Sequence, residues 1–455
     1  MLEQLKAFFS NKSILVLGFG IEGKSTYRVI RRILPDAKLA IADANDEIVT
    51  SEITKHNNNC RFMLGKNYLD NLSDFDIVIK SPGISLKQLH AIDSSKFTSH
   101  TELFIRFFKK QIIGITGTKG KSTTSSLIYH IIKQHTSNCI LVGNIGIPPF
   151  ELIDTIDNET VIVYELSSHQ LEKTRFSPHI AILLNLYQEH LDHYETFEKY
   201  QEAKFNITLN QHKDDYFIYN ADDTLISIWL KENNIQRNFM PYSLKSHLPD
   251  GCFIENSKIH YPNASREIGS EISTISNLQG EHNLLNIMAA ICAVKIKGVP
   301  DNVVNDALKS FKPLENRMEY VGVYDNVIYY NDSISTIPEA TIAALNTLKV
   351  VDTLILGGFD RGIYYDDLID FIENTDIRNV IFIGKAGKRM QNIYCTKQYV
   401  RKKVVYTNNF EEAVLYAKQL TSKNKICLLS PAAASYDMFK NFVERGDVFK
   451  QMVRK

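Results

Sequence analysis

The 455 residues are 44% hydrophobic and 23% charged, with 52 basic against 52 acidic side chains. That length suggests two to four domains of an ordinary globular protein, and the even charge leaves no footprint for nucleic acid. Six cysteines (60, 139, 252, 292, 395 and 427) form no Cys-x-x-Cys pair, which points away from a zinc site or disulfide framework and toward a reducing compartment.

No stretch approaches the roughly 18 apolar residues of a spanning helix. The N-terminus carries Glu3 and lacks a secretory apolar region, so the expected location is the cytoplasm, with no membrane span.

In chain order, Ser13-Ile-Leu-Val-Leu-Gly18-Phe19-Gly20 reads as a buried strand ending in a Gly-x-Gly-x-x-Gly turn, Gly18 to Gly23, which includes Ile21 and Glu22. A helical run follows through Arg32, then a second strand, Lys38 to Asp43. Strand, glycine turn, helix, strand and acid at this spacing is the dinucleotide-type arrangement. Asp43 then stands where a residue contacts a ribose or a base. The plainer alternative is a packing turn with no ligand. The run Asp76 to Gly83 reads as another strand whose turn reaches the same carboxyl edge.

The stretch Gly114-Ile-Thr-Gly117-Thr118-Lys119-Gly120-Lys121-Ser122-Thr123 follows the apolar run Gln111-Ile-Ile and precedes a helical pattern through Lys133. A turn in that context aims backbone N–H groups and a helix N-terminus at an anion. Lys121 offers positive charge to phosphate oxygens and Ser122 a hydroxyl for Mg²⁺. The spacing is a shortened form of the usual phosphate loop, with Ile115 where the first glycine is expected. Two nucleotide-like sites in one chain suggest an ATP user acting on a nucleotide-linked substrate.

Downstream, Val161-Ile-Val-Tyr is a strand ending at Glu165, where a Mg²⁺-directed acid is expected. The strand Ile180 to Asn185 runs into Glu189-His190-Leu-Asp192; from these residues alone His190 is either a metal ligand or part of a surface loop. Lys204 lies in the helical stretch Phe197 to Leu209, where a lysine usually snorkels to solvent. Strand-like runs occur around Tyr216–Asn220 and over 251–261. Asn283 and Asn286 open a strongly apolar helix and suit either capping or ligand contact. After Phe311, apolar runs near 327–332, 353–358, 379–384 and 425–430 each end in a polar or glycine turn, with helical runs between. The expected fold class is α/β in three domains: a Rossmann-like unit over 1–98, a central phosphate-loop ATPase with a parallel sheet over 99–309, and a second Rossmann-like unit over 310–455.

Taken together these motifs resemble the Mur ligases, the ATP-dependent amide-forming enzymes of peptidoglycan precursor synthesis. The resemblance covers essentially the whole chain. It rests on the phosphate loop, Tyr164-Glu165-Leu-Ser167-Ser-His-Gln, Asn185-Leu-Tyr-Gln-Glu-His190, Gly280-Glu-His-Asn283-Leu-Leu-Asn286 and Asn316-Arg317-Met-Glu. The run from Leu429 through Ser435 and Phe442 to Gly446 looks like the glutamate-adding branch.

The resemblance implies a mechanism: ATP phosphorylates the carboxylate of UDP-N-acetylmuramoyl-L-alanine, and the amino group of glutamate displaces phosphate from the acyl phosphate. It implies Lys121, Glu165, His190 and Lys204 as catalytic residues. One Mg²⁺ would lie on Ser122 and Glu165, and a second would involve His190, with Lys204 carbamylated. ATP would meet Gly117 to Thr123, Asn283 and Asn286, together with Arg317 and Asp332 of the last domain. The UDP substrate would meet Gly18 to Gly23, Asp43, Gly83, Asn144 and Ser167. Glutamate would meet Thr336, Arg361, Ser435 and Phe442. A monomer is expected.

Where that branch usually has Asp-Ser-Lys-x-Thr-Asn, this chain has Asp332-Ser333-Ile334-Ser335-Thr336-Ile337, and Arg361 replaces a lysine. An Arg forks a carboxylate differently from a Lys. D-glutamate is the expected amino acid, and an L-glutamate-adding ligase on the same acceptor is the alternative. A folate-type polyglutamate ligase would lack the first domain. A nicotinamide oxidoreductase would leave the Lys121 loop without a purpose. A non-catalytic binding protein would not need Lys121, Glu165, His190 and Lys204 together. Lys119 replaces a commoner asparagine, with little expected effect.

Overall fold

Short runs of β-branched and aliphatic residues, buried on both faces, become parallel strands in three sheets, and the polar or glycine turns after them carry the candidate residues. A computed structural model describes residues 2–46, 48, 59–84, 93–144, 147–189, 191–233, 237–261, 278, 280–312, 315–348 and 350–455. The chain divides into two units, Met1–Phe311 and Lys312–Lys455.

The first unit holds two sheets. One contains β1 (Ile14–Leu17), β2 (Leu39–Asp43), β3 (Cys60–Leu64), β4 (Ile77–Lys80) and β5 (Phe97–Ser99) in the order β3-β2-β1-β4-β5, all parallel. The chain leaves β1 toward β2 on one side and returns to β4 on the other. The crevice of such a sheet opens at that reversal. It brings the turn after β1 beside the turn after β4.

The second sheet contains β6 (Ile112–Thr116), β7 (Cys139–Gly143), β8 (Val161–Glu165), β9 (Ile180–Leu183), β10 (Tyr216–Asn220), β11 (Asn238–Ser243), β12 (Cys252–Glu255) and β13 (Lys258–His260). The order is β13-β12-β11-β10-β9-β6-β8-β7, parallel except for the antiparallel hairpin β12–β13. β6 lies between β8 and β9, so its loop emerges beside Glu165 and Asn185.

One apolar core runs through both sheets. It joins Ile14, Val16 and Ile41 to Phe104, Phe150, Ile162, Tyr164 and Phe205. The helix His100–Phe108 is the bridge: Phe104 meets the Tyr164 ring edge-on at 5.7 Å and Phe150 at 5.5 Å. This shared core, continuous across residues 98 and 99, places the first two sheets in one compact unit.

The second unit contains β14 (Glu319–Tyr324), β15 (Val327–Asn331), β16 (Val351–Gly357), β17 (Asn379–Ile383), β18 (Lys403–Thr407) and β19 (Ile426–Leu429) in the order β14-β15-β19-β16-β17-β18. Only β14–β15 is antiparallel. β19 lies between β15 and β16, which brings the ends of these three strands together. Among the described residues no helix is long and apolar enough to cross a membrane.

Candidate active site

The loop between β6 and the helix Lys121–His135 is built around Gly120. Its φ is +86°, and a Cβ there would lie 2.3 Å from Asn286 Oδ1. Only glycine fits both conditions. Asn286 also accepts from Thr124 Oγ1 at 3.3 Å and donates to Asn283 Oδ1 at 3.3 Å. The helix Glu281–Ile296 starts at Gly280 with no side-chain cap. Asn286 therefore does not cap its helix and packs on the phosphate loop.

The loop is held from outside as well. Asn185 Oδ1 accepts the Lys119 N–H at 2.8 Å, and Asn185 Nδ2 donates to Lys119 O at 3.0 Å. Thr118 Oγ1 lies 3.0 Å from the Tyr200 hydroxyl and accepts the Tyr187 N–H at 2.9 Å. The sequence alone does not mark Asn185 and Tyr200 for these roles. The signal for Asn185 was its place at the end of a strand neighbouring the loop strand.

Lys121 Nζ donates to Gly117 O at 2.8 Å and to Thr118 O at 2.9 Å. Lys204 Nζ donates to the same Gly117 O at 2.9 Å. Lys204 does not snorkel: it is 1% exposed and lies 4.8 Å from the Tyr200 ring centroid. Burial lowers its pKa well below the ordinary lysine value, Lys121 and Lys119 push the same way, and Glu189 opposes. Glu189 is ion-paired with Lys119.

Glu165 ends β8 and is 1% exposed. Its Oε1 accepts from Asn144 Nδ2 at 3.0 Å, while its Oε2 is buried with no hydrogen-bond partner. A buried carboxylate oxygen without a partner beside a phosphate loop suits an oxygen-seeking cation. Ser122 is in the first turn of the same loop's helix and is part-exposed. His190 lies outside the described residues. Among the described residues no three His, Cys, Asp or Glu side chains cluster as a ready metal cage.

In the first sheet, Gly18 has φ +87°, and a Cβ would lie 2.8 Å from Ser81 Cβ. Ser81 Oγ donates to Gly18 O at 2.7 Å, which joins the turn after β4 to the turn after β1. Asp43 Oδ2 accepts the Phe19 N–H at 2.6 Å and Oδ1 the Asn45 N–H at 2.8 Å. Its carboxylate therefore closes the turn. Phe19 is buried, and Ile21 is exposed at the helix start. A Cβ at Gly20 or at Gly83 would meet nothing within 4 Å, whereas Gly23 packs against Gly18 O.

Glu22 turns toward the second sheet, where its Oε1 accepts from Gln170 Nε2 at 2.6 Å. Burial raises its pKa, and the Gln170 bond and Lys80 oppose this. Ser167 caps the short helix Ser168–Leu171 in a reciprocal box with Gln170. One cavity of about 380 Å³ is lined by Gly83 of the first sheet together with Lys121, Asn144, Ser167, Glu189 and Lys204 of the second. It brings the turn after β4 and the phosphate loop to one opening.

In the second unit Asp332 is buried at the end of β15. It accepts from Ser430 Oγ at 2.7 Å and from the Met318 N–H at 3.1 Å. Burial raises its pKa to about 6, with Ser335, Ser430, Met318 and the Arg317 charge opposing. Arg317 Nε is buried without a hydrogen-bond partner. Arg361 is exposed, and its Nη2 donates to Thr336 O at 2.6 Å. Ser435 is buried, and Phe442 opens the helix Phe442–Arg454.

Residues 115–294 match the Mur ligase middle domain. The chain is 33% identical over 450 residues to UDP-N-acetylmuramoylalanine–D-glutamate ligase of Thermoanaerobacter sp. (strain X514), covering 97% of this chain and 98% of that one. It is 33% identical over 455 residues to the ligase of the same name from Clostridioides difficile (strain 630), again at 97% and 98% coverage. Among solved structures, the MurF ligase from Thermotoga maritima in complex with ADP aligns with a TM-score of 0.59 at 16% identity, over 97% of this chain and 95% of that one. The UDP-N-acetylmuramate-alanine ligase MurC from Thermotoga maritima aligns with a TM-score of 0.57 at 18% identity, over 98% and 99%. At such identities the structural likeness speaks for the fold.

Proposed function

The chain belongs to the Mur ligase family, and from that premise we propose that it joins D-glutamate to UDP-N-acetylmuramoyl-L-alanine in peptidoglycan precursor synthesis. The enzyme is an ATP-dependent acid–amino-acid ligase. The observation that carries the reading is the shared cavity, where Gly83 from the first sheet meets Lys121, Asn144 and Lys204 from the second. A nucleotide-linked acceptor held by the first sheet would present its free carboxylate to the phosphate loop across that opening.

The chemistry asks for little from the protein beyond position and charge. The γ-phosphoryl group passes to an oxygen of the acceptor carboxylate, and ADP leaves. The glutamate nitrogen then attacks the activated carbonyl carbon. A C–N bond forms, the C–O bond to phosphate breaks, and the amine proton is released. The loop N–H groups and Lys121 take up charge on the transferred phosphoryl group. Asn144 holds Glu165 Oε1 in place, which leaves Oε2 and the Ser122 hydroxyl to hold Mg²⁺. Bound there, the ion would supply charge neutralisation for the phosphoryl transfer.

Lys204 is given the carbamate role. Burial lowers the pKa of this amine, and in its neutral form it can add CO₂: a C–N bond forms, a proton leaves, and an anion replaces the amine beside Lys121. That anion and His190 would hold a second Mg²⁺. Arg317 and Asp332 are assigned to ATP, and Thr336, Arg361, Ser435 and Phe442 to glutamate. Residues 1–98, 99–309 and 310–455 are taken as the UDP-substrate, ATP and amino-acid modules of a cytoplasmic monomer. Lys121→Ala tests the core of this reading. Phosphate release should be lost while binding of the UDP substrate, followed by calorimetry, persists; retained turnover would remove the phosphate-loop assignment.

A further inference from the structure

Arg445 has none of the roles assigned above. It lies in the first turn of the helix Phe442–Arg454 and is 1% exposed. Its Nε donates to Ser333 Oγ at 3.0 Å, and its Nη2 to Ser333 O at 2.8 Å and Ala433 O at 3.1 Å. Its Nη1 donates to Ala434 O at 3.2 Å. All four acceptors sit just past the carboxyl ends of β15 and β19. Ala434 O also accepts the Phe359 N–H at 2.9 Å, which brings in the turn after β16. Ser333 Oγ donates onward to Phe442 O at 2.8 Å. One guanidinium therefore ties the loops after three neighbouring strands to the start of a helix.

Core packing alone does not ask for this side chain. Burying a cation is costly, and a large apolar residue fills such a space at less expense. Its hydrogen bonds to Ser333, Ala433 and Ala434 all end on neutral oxygens. Asp437 acts on it through space, opposing the burial that lowers its pKa to about 10, so it is charged at neutral pH. What a guanidinium adds is a rigid fork of five donors that fixes several carbonyls at once. The loops it fixes carry residues assigned above to glutamate: Thr336 after β15, Arg361 after β16 and Ser435 after β19. The Arg361 bond to Thr336 O closes the ring of loops on the far side.

We propose that Arg445 is the positioning residue of the amino-acid subsite, holding the loops after β15, β16 and β19 in one register so that the incoming amino acid meets prealigned donors. The proposal rests on the reading that glutamate binds in this unit. The residue need not touch the substrate, since its effect passes through Ser333, Ala433 and Ala434.

The test is steady-state phosphate release with each of the three substrates varied in turn. It uses the wild type, Arg445→Lys and Ser333→Ala. The lysine keeps the charge but cannot span four acceptors. The alanine removes one acceptor and the link to Phe442, and leaves the core intact. In Arg445→Lys the KM for glutamate should rise about tenfold or more, with kcat at saturating glutamate kept within about threefold. The KM values for ATP and for UDP-N-acetylmuramoyl-L-alanine should stay within about twofold. Ser333→Ala should show the same split at several-fold size, and it decides the matter if the lysine variant does not fold. An unchanged glutamate KM overturns the proposal. So does a parallel loss in all three KM values and in kcat, which would make the role purely structural. A wild type that releases no phosphate in the presence of glutamate refutes the proposed function before any variant is compared.

Discussion

Replacing Lys204 by methionine isolates the most demanding group of the site. The amine is fully buried, it donates to Gly117 O, and its pKa lies well below the ordinary 10.5, chiefly through burial. Between the depressed folded value and 10.5 the unfolded chain holds one more proton than the folded one. Wild-type stability therefore rises with pH across that window, by about 1.4 kcal/mol per unit for one proton. Methionine has no such dependence. The stability advantage of Lys204→Met should therefore shrink as pH rises toward 10.5.

Denaturant unfolding read by tryptophan fluorescence suits this test. The single tryptophan, Trp229, stacks on Phe205 at 4.0 Å, next to Lys204 on its helix, and so reports on the right unit. Buffers should be free of CO₂. Added bicarbonate should then stabilise the wild type and leave the methionine variant unchanged. A stability difference that stays constant with pH would refute the reasoning, because the folded amine would then be charged.

Gly120→Ala should be impaired for two reasons, a strained positive φ worth about 1–2 kcal/mol and a Cβ driven into Asn286; ATP KM measured by phosphate release should rise, and an unchanged value would show that the loop is not held as described. His100 is fully buried, and burial lowers its pKa to about 3. The unfolded chain therefore takes up the proton first, and stability falls as pH drops from 6.5, by about 2 kcal/mol at pH 5. His100→Leu should lose that dependence in thermal melts at pH 5 and 7, and a retained dependence would assign it to another group. Asn185→Ala removes both side-chain bonds to Lys119 and should weaken ATP binding in calorimetry by about 1–2 kcal/mol without altering binding of the UDP substrate.

The strand–turn–helix units were legible because fully buried parallel strands are continuous apolar runs, as in Ile112–Thr116 and Val351–Gly357. The glycines were legible because their positive φ leaves few alternatives, as at Gly18 and Gly120. Long-range use of polar side chains was not. Asp43 has the spacing of a ribose contact, and nothing in that spacing shows that its carboxylate also takes the Phe19 N–H. Glu22 sits in the turn, yet bonds to Gln170 on the other sheet. Lys204 has the helical spacing of a snorkelling lysine, and only the packing of Tyr200 and Gly117 around it shows a buried amine. Arg445 carried no signal in spacing, because its partners lie 11 to 112 positions away in sequence.

The most direct test is phosphate release from ATP with UDP-N-acetylmuramoyl-L-alanine as acceptor and D- or L-glutamate as amino acid. The account predicts release that requires the acceptor and D-glutamate together, with L-glutamate near background. Release with L-glutamate alone would contradict the assigned stereochemistry, and release with neither would contradict the assigned reaction.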